Sequence, residues 1–254
     1  MQQHPHAPNN NCAPPMPQGA PGMAVAMGVP MGPPALYPNG IGITDRPQHD
    51  ENDCGSSPCH CLCCARPIFY ADSNRRAVSQ MVEWRYGLCG FHVENADIFG
   101  TRLSFEGQQI CCSCDQRVDV RENGQPIGHV MLYGKPCECS QTIMAEAFDA
   151  RGVSKFARID NPCNPYDHFS GDHCGWHEHN WPVVWTPNQA AGPIAHITQR
   201  QHCCIGCYPT WTGIRQLPQG APPEDQKLLL AMIHGRFWRS EQQKQQKNNG
   251  HGGH

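Results

Sequence analysis

Arg117-Val118-Asp119-Val120-Arg121-Glu122-Asn123-Gly124-Gln125-Pro126-Ile127-Gly128-His129-Val130-Met131-Leu132-Tyr133 is the stretch on which the fold turns. Arg117 to Arg121 alternates charged and apolar residues with period two, the pattern of a strand with one face buried. Asn123-Gly124 follows, the dipeptide best suited to a tight hairpin turn, and Ile127 to Tyr133 reads as the near-continuous apolar return strand. Downstream, Ile143 to Phe148, the turn Asp149-Ala150-Arg151-Gly152, and Val153 to Ile159 form a second hairpin. Pro182 to Trp185 and Ile194 to Ile197 are further strands, and upstream so are Ile68 to Ala71, Ala77 to Tyr86 and Phe91 to Val93. Strands recurring every ~8–12 residues with turns between them predict an antiparallel barrel or sandwich.

One helix is expected, from Pro223 to Trp238. Pro223 suits the first helical position, and Glu224 and Asp225 complement the positive end of the helix dipole. Leu229, Met232, Ile233 and Phe237 share one face, while Leu228, Leu230 and Trp238 widen it until most of the circumference is apolar. Such a helix belongs inside something, and at about 16 residues it is too short to cross a bilayer. These elements divide the chain into a Pro-rich arm without regular structure (1–53), a mainly β domain (54–238) and a polar, unstructured tail (239–254).

Composition narrows the function classes. The chain has 254 residues, 39% hydrophobic and 16% charged, with a net charge of −3. A globally basic nucleic-acid binder is not expected from that balance. No run of 18 apolar residues exists in the sequence, so no ordinary membrane-spanning helix is expected, and the first residues do not resemble a secretory signal. Pro14 to Pro17 and Pro30 to Pro33 have the spacing of SH3 ligands, and Pro33-Pro34-Ala35-Leu36-Tyr37 approaches that of WW ligands. We find no G-x-S-x-G elbow, H-E-x-x-H motif or P-loop that would point to hydrolytic or covalent catalysis.

Cysteine is the outlier, at 17 residues beside 15 His. The clusters are Cys59-His60-Cys61-Leu62-Cys63-Cys64, Cys111-Cys112-Ser113-Cys114 and Cys203-Cys204-Ile205-Gly206-Cys207. In a reducing compartment a disulfide framework is the poorer reading. Cys61/Cys64, Cys111/Cys114 and Cys204/Cys207 have the knuckle spacing of structural zinc sites. Crowded thiols on a loop equally suit acylation, which asks for no tetrahedral geometry. The isolated Cys89 and Cys163 read as buried small apolar residues.

The order of segments resembles the phospholipid scramblase family. A Pro-rich arm precedes a Cys-rich stretch that leads into Arg66-Pro67-Ile68-Phe69; Cys111-Cys112-Ser113-Cys114 then leads through Val118 to Arg121 into Pro126-Ile127-Gly128-His129-Val130. Pro136-Cys137, Pro162-Cys163, Gly192 to Ile197, the turn Trp211-Thr212-Gly213 and Asp225-Gln226-Lys227 follow in the family's order, with 91–109 and 201–210 as insertions. The resemblance implies a tubby-like antiparallel barrel around the C-terminal helix. It also implies passive, calcium-stimulated movement of phospholipids between leaflets, at the cytoplasmic face of a membrane such as the plasma membrane. Cys111, Cys112 and Cys114 fall at the family's acylated cluster, and Cys61, Cys63 and Cys64 are the second choice for lipidation. Where the family has an acidic calcium segment, only Glu224 and Asp225 stand here. Two other readings stay open: a non-scrambling adaptor of the same fold, and a zinc-stabilised interaction domain of the cytosol or nucleus.

Overall fold

Asn123 and Gly124 both adopt positive φ, 49° and 83°, the backbone that a two-residue hairpin turn of matching twist requires. In the computed structural model, which describes residues 37–44, 66–80, 82–86, 89–110, 115–134, 142–160, 176–202, 209–218 and 221–250, this turn joins two of twelve strands. They are β1 (Ile41–Thr44), β2 (Arg66–Ala71), β3 (Val82–Tyr86), β4 (Gly90–Ile98), β5 (Thr101–Gln109), β6 (Gln116–Glu122), β7 (Gln125–Leu132), β8 (Thr142–Asp149), β9 (Ser154–Asp160), β10 (Trp176–Trp185), β11 (Pro193–His202) and β12 (Pro209–Ile214). Each pairs antiparallel with the next, and β12 pairs with β1, closing a barrel. The register sets Val118 opposite Val130. Val118, Val120, Val130 and Leu132 point inward and are buried, whereas Arg117 and Asp119 stay on the wall's outer side and pair there, Nε to Oδ1 at 2.8 Å.

The single α-helix among the described residues, α1 (Pro223–Gly250), fills the barrel. Leu228, Leu229, Leu230, Met232, Ile233, Phe237 and Trp238 share one buried cluster with Ile41, Leu103, Phe105, Val130 and Ile197. Fully burying one such side chain contributes about 1.5–3 kcal/mol, so the helix is the core of the domain. The mainly β barrel enclosing a C-terminal helix is therefore the observed fold.

Four boundaries differ from expectation. Ile41–Thr44 belongs to the barrel although it precedes residue 54; a four-residue strand containing glycine carries no periodicity of its own and forms because β2 and β12 flank it. Within 91–109, read as an insertion, β4 and β5 form a hairpin across Phe99 and Gly100, both at positive φ. Trp211-Thr212-Gly213 is strand, not turn. The helix runs past Trp238 to Gly250, because Gln, Lys and Arg are good helix formers and no Pro intervenes.

The closing seam explains that third difference. Gly42 lies opposite Gly213, and the Trp211 indole, 1% exposed, lies against both while its Nε1 donates to the Ala71 carbonyl at 3.2 Å. A Cβ on Gly213 would fall 2.4 Å from the Gly42 Cα and 2.5 Å from the Ile41 carbonyl oxygen, both backbone atoms. Gly213→Ala should cost about 1–3 kcal/mol through overpacking, read as a lower denaturant midpoint. An unchanged midpoint would show that β1 and β12 can separate without loss.

Candidate functional site: the cysteine-bearing rim

In an antiparallel barrel of sequential strands, alternate connections emerge at opposite rims. The connections β1–β2, β3–β4, β5–β6, β7–β8, β9–β10 and β11–β12 leave and rejoin the wall at one rim. Of the 17 cysteines, all but Cys12 lie in those six connections. The six connections at the opposite rim, including the one from β12 to α1, contain none. Cys61, Cys63 and Cys64 lie between β1 and β2, and Cys111, Cys112 and Cys114 between β5 and β6; these six are outside the described residues. The base of the β5–β6 connection is defined. Ile110 N–H donates to the Asp115 carbonyl at 3.0 Å, and the Asp115 carboxylate accepts from Gly134 N–H at 2.8 Å, tying this hairpin to the end of β7. Cys89, between β3 and β4, is exposed and not the buried apolar residue its isolation predicts. Cys163 is outside the described residues.

The helix points its C-terminal half at this rim. It begins at the opposite rim, where Lys227 Nζ donates to Glu122 Oε1 at the end of β6 at 2.5 Å, and later passes the start of β6, where Arg239 Nε donates to Gln116 Oε1 at 2.9 Å. Its packing turns polar along the way. Gln199, 2% exposed, donates through Nε2 to Ser240 Oγ at 2.7 Å and Thr212 Oγ1 at 3.2 Å, and its Oε1 accepts from Arg236 at 3.1 Å. The Arg236 guanidinium sits 4.1 Å from the Trp181 ring centroid, and Arg158 lies 5.6 Å from the same ring. A buried network of this kind fixes one rotation and one depth of the helix, since displacement leaves several donors without acceptors. Sequence reasoning missed it; the available signal was Gln116 and Gln199 at inward positions of their strands.

Deeper in the barrel is a histidine that pattern reading also passed over. His234 is fully buried; its Nε2 is 2.8 Å from the Tyr70 hydroxyl, its ring lies 4.3 Å from Phe105 and 5.7 Å from Phe91, and its Nδ1 makes no hydrogen bond. Burial away from water pushes its pKa down to about 3 and pushes that of Tyr70 up, so both stay neutral.

The residues proposed for metal stand elsewhere. Glu224 is exposed, whereas Asp225 is 3% exposed with Oδ1 3.7 Å from Lys155 Nζ. Desolvation raises the Asp225 pKa, opposed by Lys155. Both residues are at the rim opposite the cysteines, and among the described residues no third carboxylate, Cys or His joins them in a metal-holding group.

The wall itself has a distinctive outside. Glu83, Arg85, Asp97, Arg102, Glu106 and Arg121 are exposed on successive strands, the reverse of a membrane-spanning barrel, whose lipid-facing positions are apolar. Among the described residues no helix is long and apolar enough to cross a membrane. On that outer face, between β10, β11 and Arg215–Pro218, opens a cleft of about 640 Å³.

Family models, curated proteins and solved structures give no match to this chain. Its chemistry is therefore read from its own residues: a rim whose connections contain the cysteines, a polar helix end beneath it, a filled lumen and a lateral cleft.

Proposed function

We propose that the chain is a membrane-tethered protein of phospholipid scramblase type, held on the bilayer by acyl chains on its cysteine-bearing rim. The sorting of the cysteines carries this reading. Each buried methylene of an acyl chain contributes about 0.8 kcal/mol, and stable anchoring takes two or more chains. Chains enter one leaflet together only when their attachment points share one side of the protein. An eight-residue strand such as β7 spans about 26 Å at ~3.3 Å per residue, so thiols divided between the rims would oppose one another. Cys111, Cys112 and Cys114 are the first candidates, at the position that resembles the family's acylated cluster, and Cys61, Cys63 and Cys64 the second.

Lipid movement on this reading is passive and needs no nucleophile or acid–base pair. It runs along the protein's outside, because α1 occupies the lumen. Calcium at Glu224 and Asp225 would lie on the side away from the anchored face, which makes them poor bridges to phosphates there. The Pro-rich arm would recruit SH3- or WW-type partners, and the site of action would be the cytoplasmic face of the plasma membrane. The filled lumen favours, as a second reading, an adaptor of the same fold without scrambling activity. The Cys-x-x-Cys spacings now sharing one rim keep zinc as the third.

Changing all six cysteines to Ser and fractionating cells tests the anchor. The expected result is release from membranes, with loss of hydroxylamine-sensitive mass on the intact protein. Unchanged membrane association would sink the lipid-anchor reading, and unfolding with loss of bound zinc would install the metal reading. A lipid-flip assay in vesicles separates scramblase from adaptor.

A further inference from the structure

The lining of the lateral cleft follows the main chain. On β10 it takes alternate residues, Glu178 and Asn180, but on β11 it takes four in succession, Pro193 to His196. Side chains of a strand alternate between its faces, and Ala195, 7% exposed, turns its methyl into the core cluster. Ala195 therefore meets the cleft through its backbone. Across the gap residues 215–218 also line it in succession, although the Leu217 side chain belongs to the core cluster. The cleft is a slot between two stretches of backbone. It opens because β12 stops at Ile214, opposite Ile197, and among the described residues no backbone hydrogen bond joins 193–196 to 215–218. β11 has only β10 beside it there. Pro182 of β10 lies opposite His196, and the pairing of β9 ends one residue away, at Val183. Proline is placed in a sheet with its nitrogen facing no partner strand, which for Pro182 is the β9 side. The His196 N–H and C=O, directly opposite, then point away from β10 and into the slot. Ile194 is the extra residue of a bulge between Pro193 and Ala195, which leaves it outside the ladder. Glu178 and Arg215 already pair with each other, so what the slot offers a ligand is main-chain donors and acceptors.

We infer that the slot binds an extended, proline-free segment of a partner protein, added as a short strand that continues the line of β12 beside β11. Four residues of β11 at ~3.3 Å each give it a length of about 13 Å. The guest's inward side chains fall beside Ala195 and Leu217 and are small and apolar; its outward ones lie beside Ile194 and His196. The occupant is a partner segment and not a second copy of the chain. Copies pair through long, flat edges, whereas this edge is short, carries a bulge and begins with a proline. The slot adjoins the Ile214 end of the wall, toward the rim opposite the connections that contain the cysteines. It is therefore open to a protein whether or not the other rim is engaged, and the inference stands apart from the membrane reading.

The test uses the full chain and the peptide acetyl-Lys-Val-Thr-Val-Lys-amide, whose valines share one face when extended. Titration followed by backbone amide shifts should move Ile194, His196 and Gln216. At ten times the dissociation constant, hydrogen exchange of the His196 amide should slow about tenfold. The same peptide N-methylated at its valine and threonine amides keeps every side chain and loses three donors; it should bind the unaltered protein about tenfold more weakly, or worse. On the protein side, His196→Pro removes the N–H that faces the slot and spares the pairing with β10, and should weaken the peptide about fivefold. His196→Ala keeps that N–H and should bind like the parent. Equal binding of the N-methylated peptide, or a folded His196→Pro variant that binds like the parent, would overturn the inference. So would a His196 amide already protected before any peptide is added, since the chain or its copy would then fill the slot.

Discussion

Ile233→Asp should unfold the domain at a denaturant midpoint far below that of the parent. Ile233 is 0% exposed in the middle of α1, inside a cluster that includes Val130, Ile197, Phe105 and Trp238. A carboxylate in that apolar cluster must either remain ionised in an apolar interior or take up a proton. Either route costs several kcal/mol, on top of the lost burial of the isoleucine, about 1.5–3 kcal/mol. Domains are stable by only ~5–15 kcal/mol, so the helix can be expelled and the barrel lost with it. Ile233→Val is the matched control and should cost about 0.5–1.5 kcal/mol. Equal midpoints for Ile233→Asp and the parent would show that the helix is not the core.

Acid should destabilise the protein well before its carboxylates titrate, through His234. Its pKa in the folded state is pushed down to about 3 by burial, whereas in the unfolded chain an imidazole titrates near 6.5. Below about pH 6.5 the unfolded chain therefore binds a proton that the folded protein refuses. This contribution to stability is complete above that pH and is lost as pH falls towards 3, at about 1.4 kcal/mol per unit. Half-buried His129, also shifted downward, first by desolvation and then by Arg117, adds in the same direction. Denaturant titrations at pH 6.5, 5.5 and 4.5 should show the decline. His234→Gln, which still offers Tyr70 an oxygen acceptor, should flatten most of it. A parent whose stability is constant over that interval would mean that water reaches the His234 ring.

How much of this was legible beforehand follows the range of the forces involved. The Asn123-Gly124 turn, the alternation of β6 and the start of α1 at Pro223 are local: two or three neighbouring residues set the φ angles or the dipole, and no distant contact is required. The apolar circumference of α1 likewise announced a helix that must be enclosed, and the strand spacing announced what would enclose it. The sequence alone thus determined the class of the fold, the β6–β7 and β8–β9 hairpins and the four core positions Leu229, Met232, Ile233 and Phe237. Only the tertiary structure decided the rest. β1 and β12 close the barrel through Gly42 and Gly213, which have no side chains to carry a pattern; their pairing joins residues more than 160 positions apart, and Trp211 reads as strand only when Ala71 is beside it. Gln116 and Gln199 look like ordinary polar residues until α1 supplies their partners, and His234 does until the barrel wall places Tyr70, Phe91 and Phe105 around it. The cysteines were visible from the start as clusters scattered through the chain. What assigns the connections that contain them to a single rim is the up-and-down order of twelve strands, because every second connection leaves and rejoins the wall on the same side, and that order exists only once the barrel has closed.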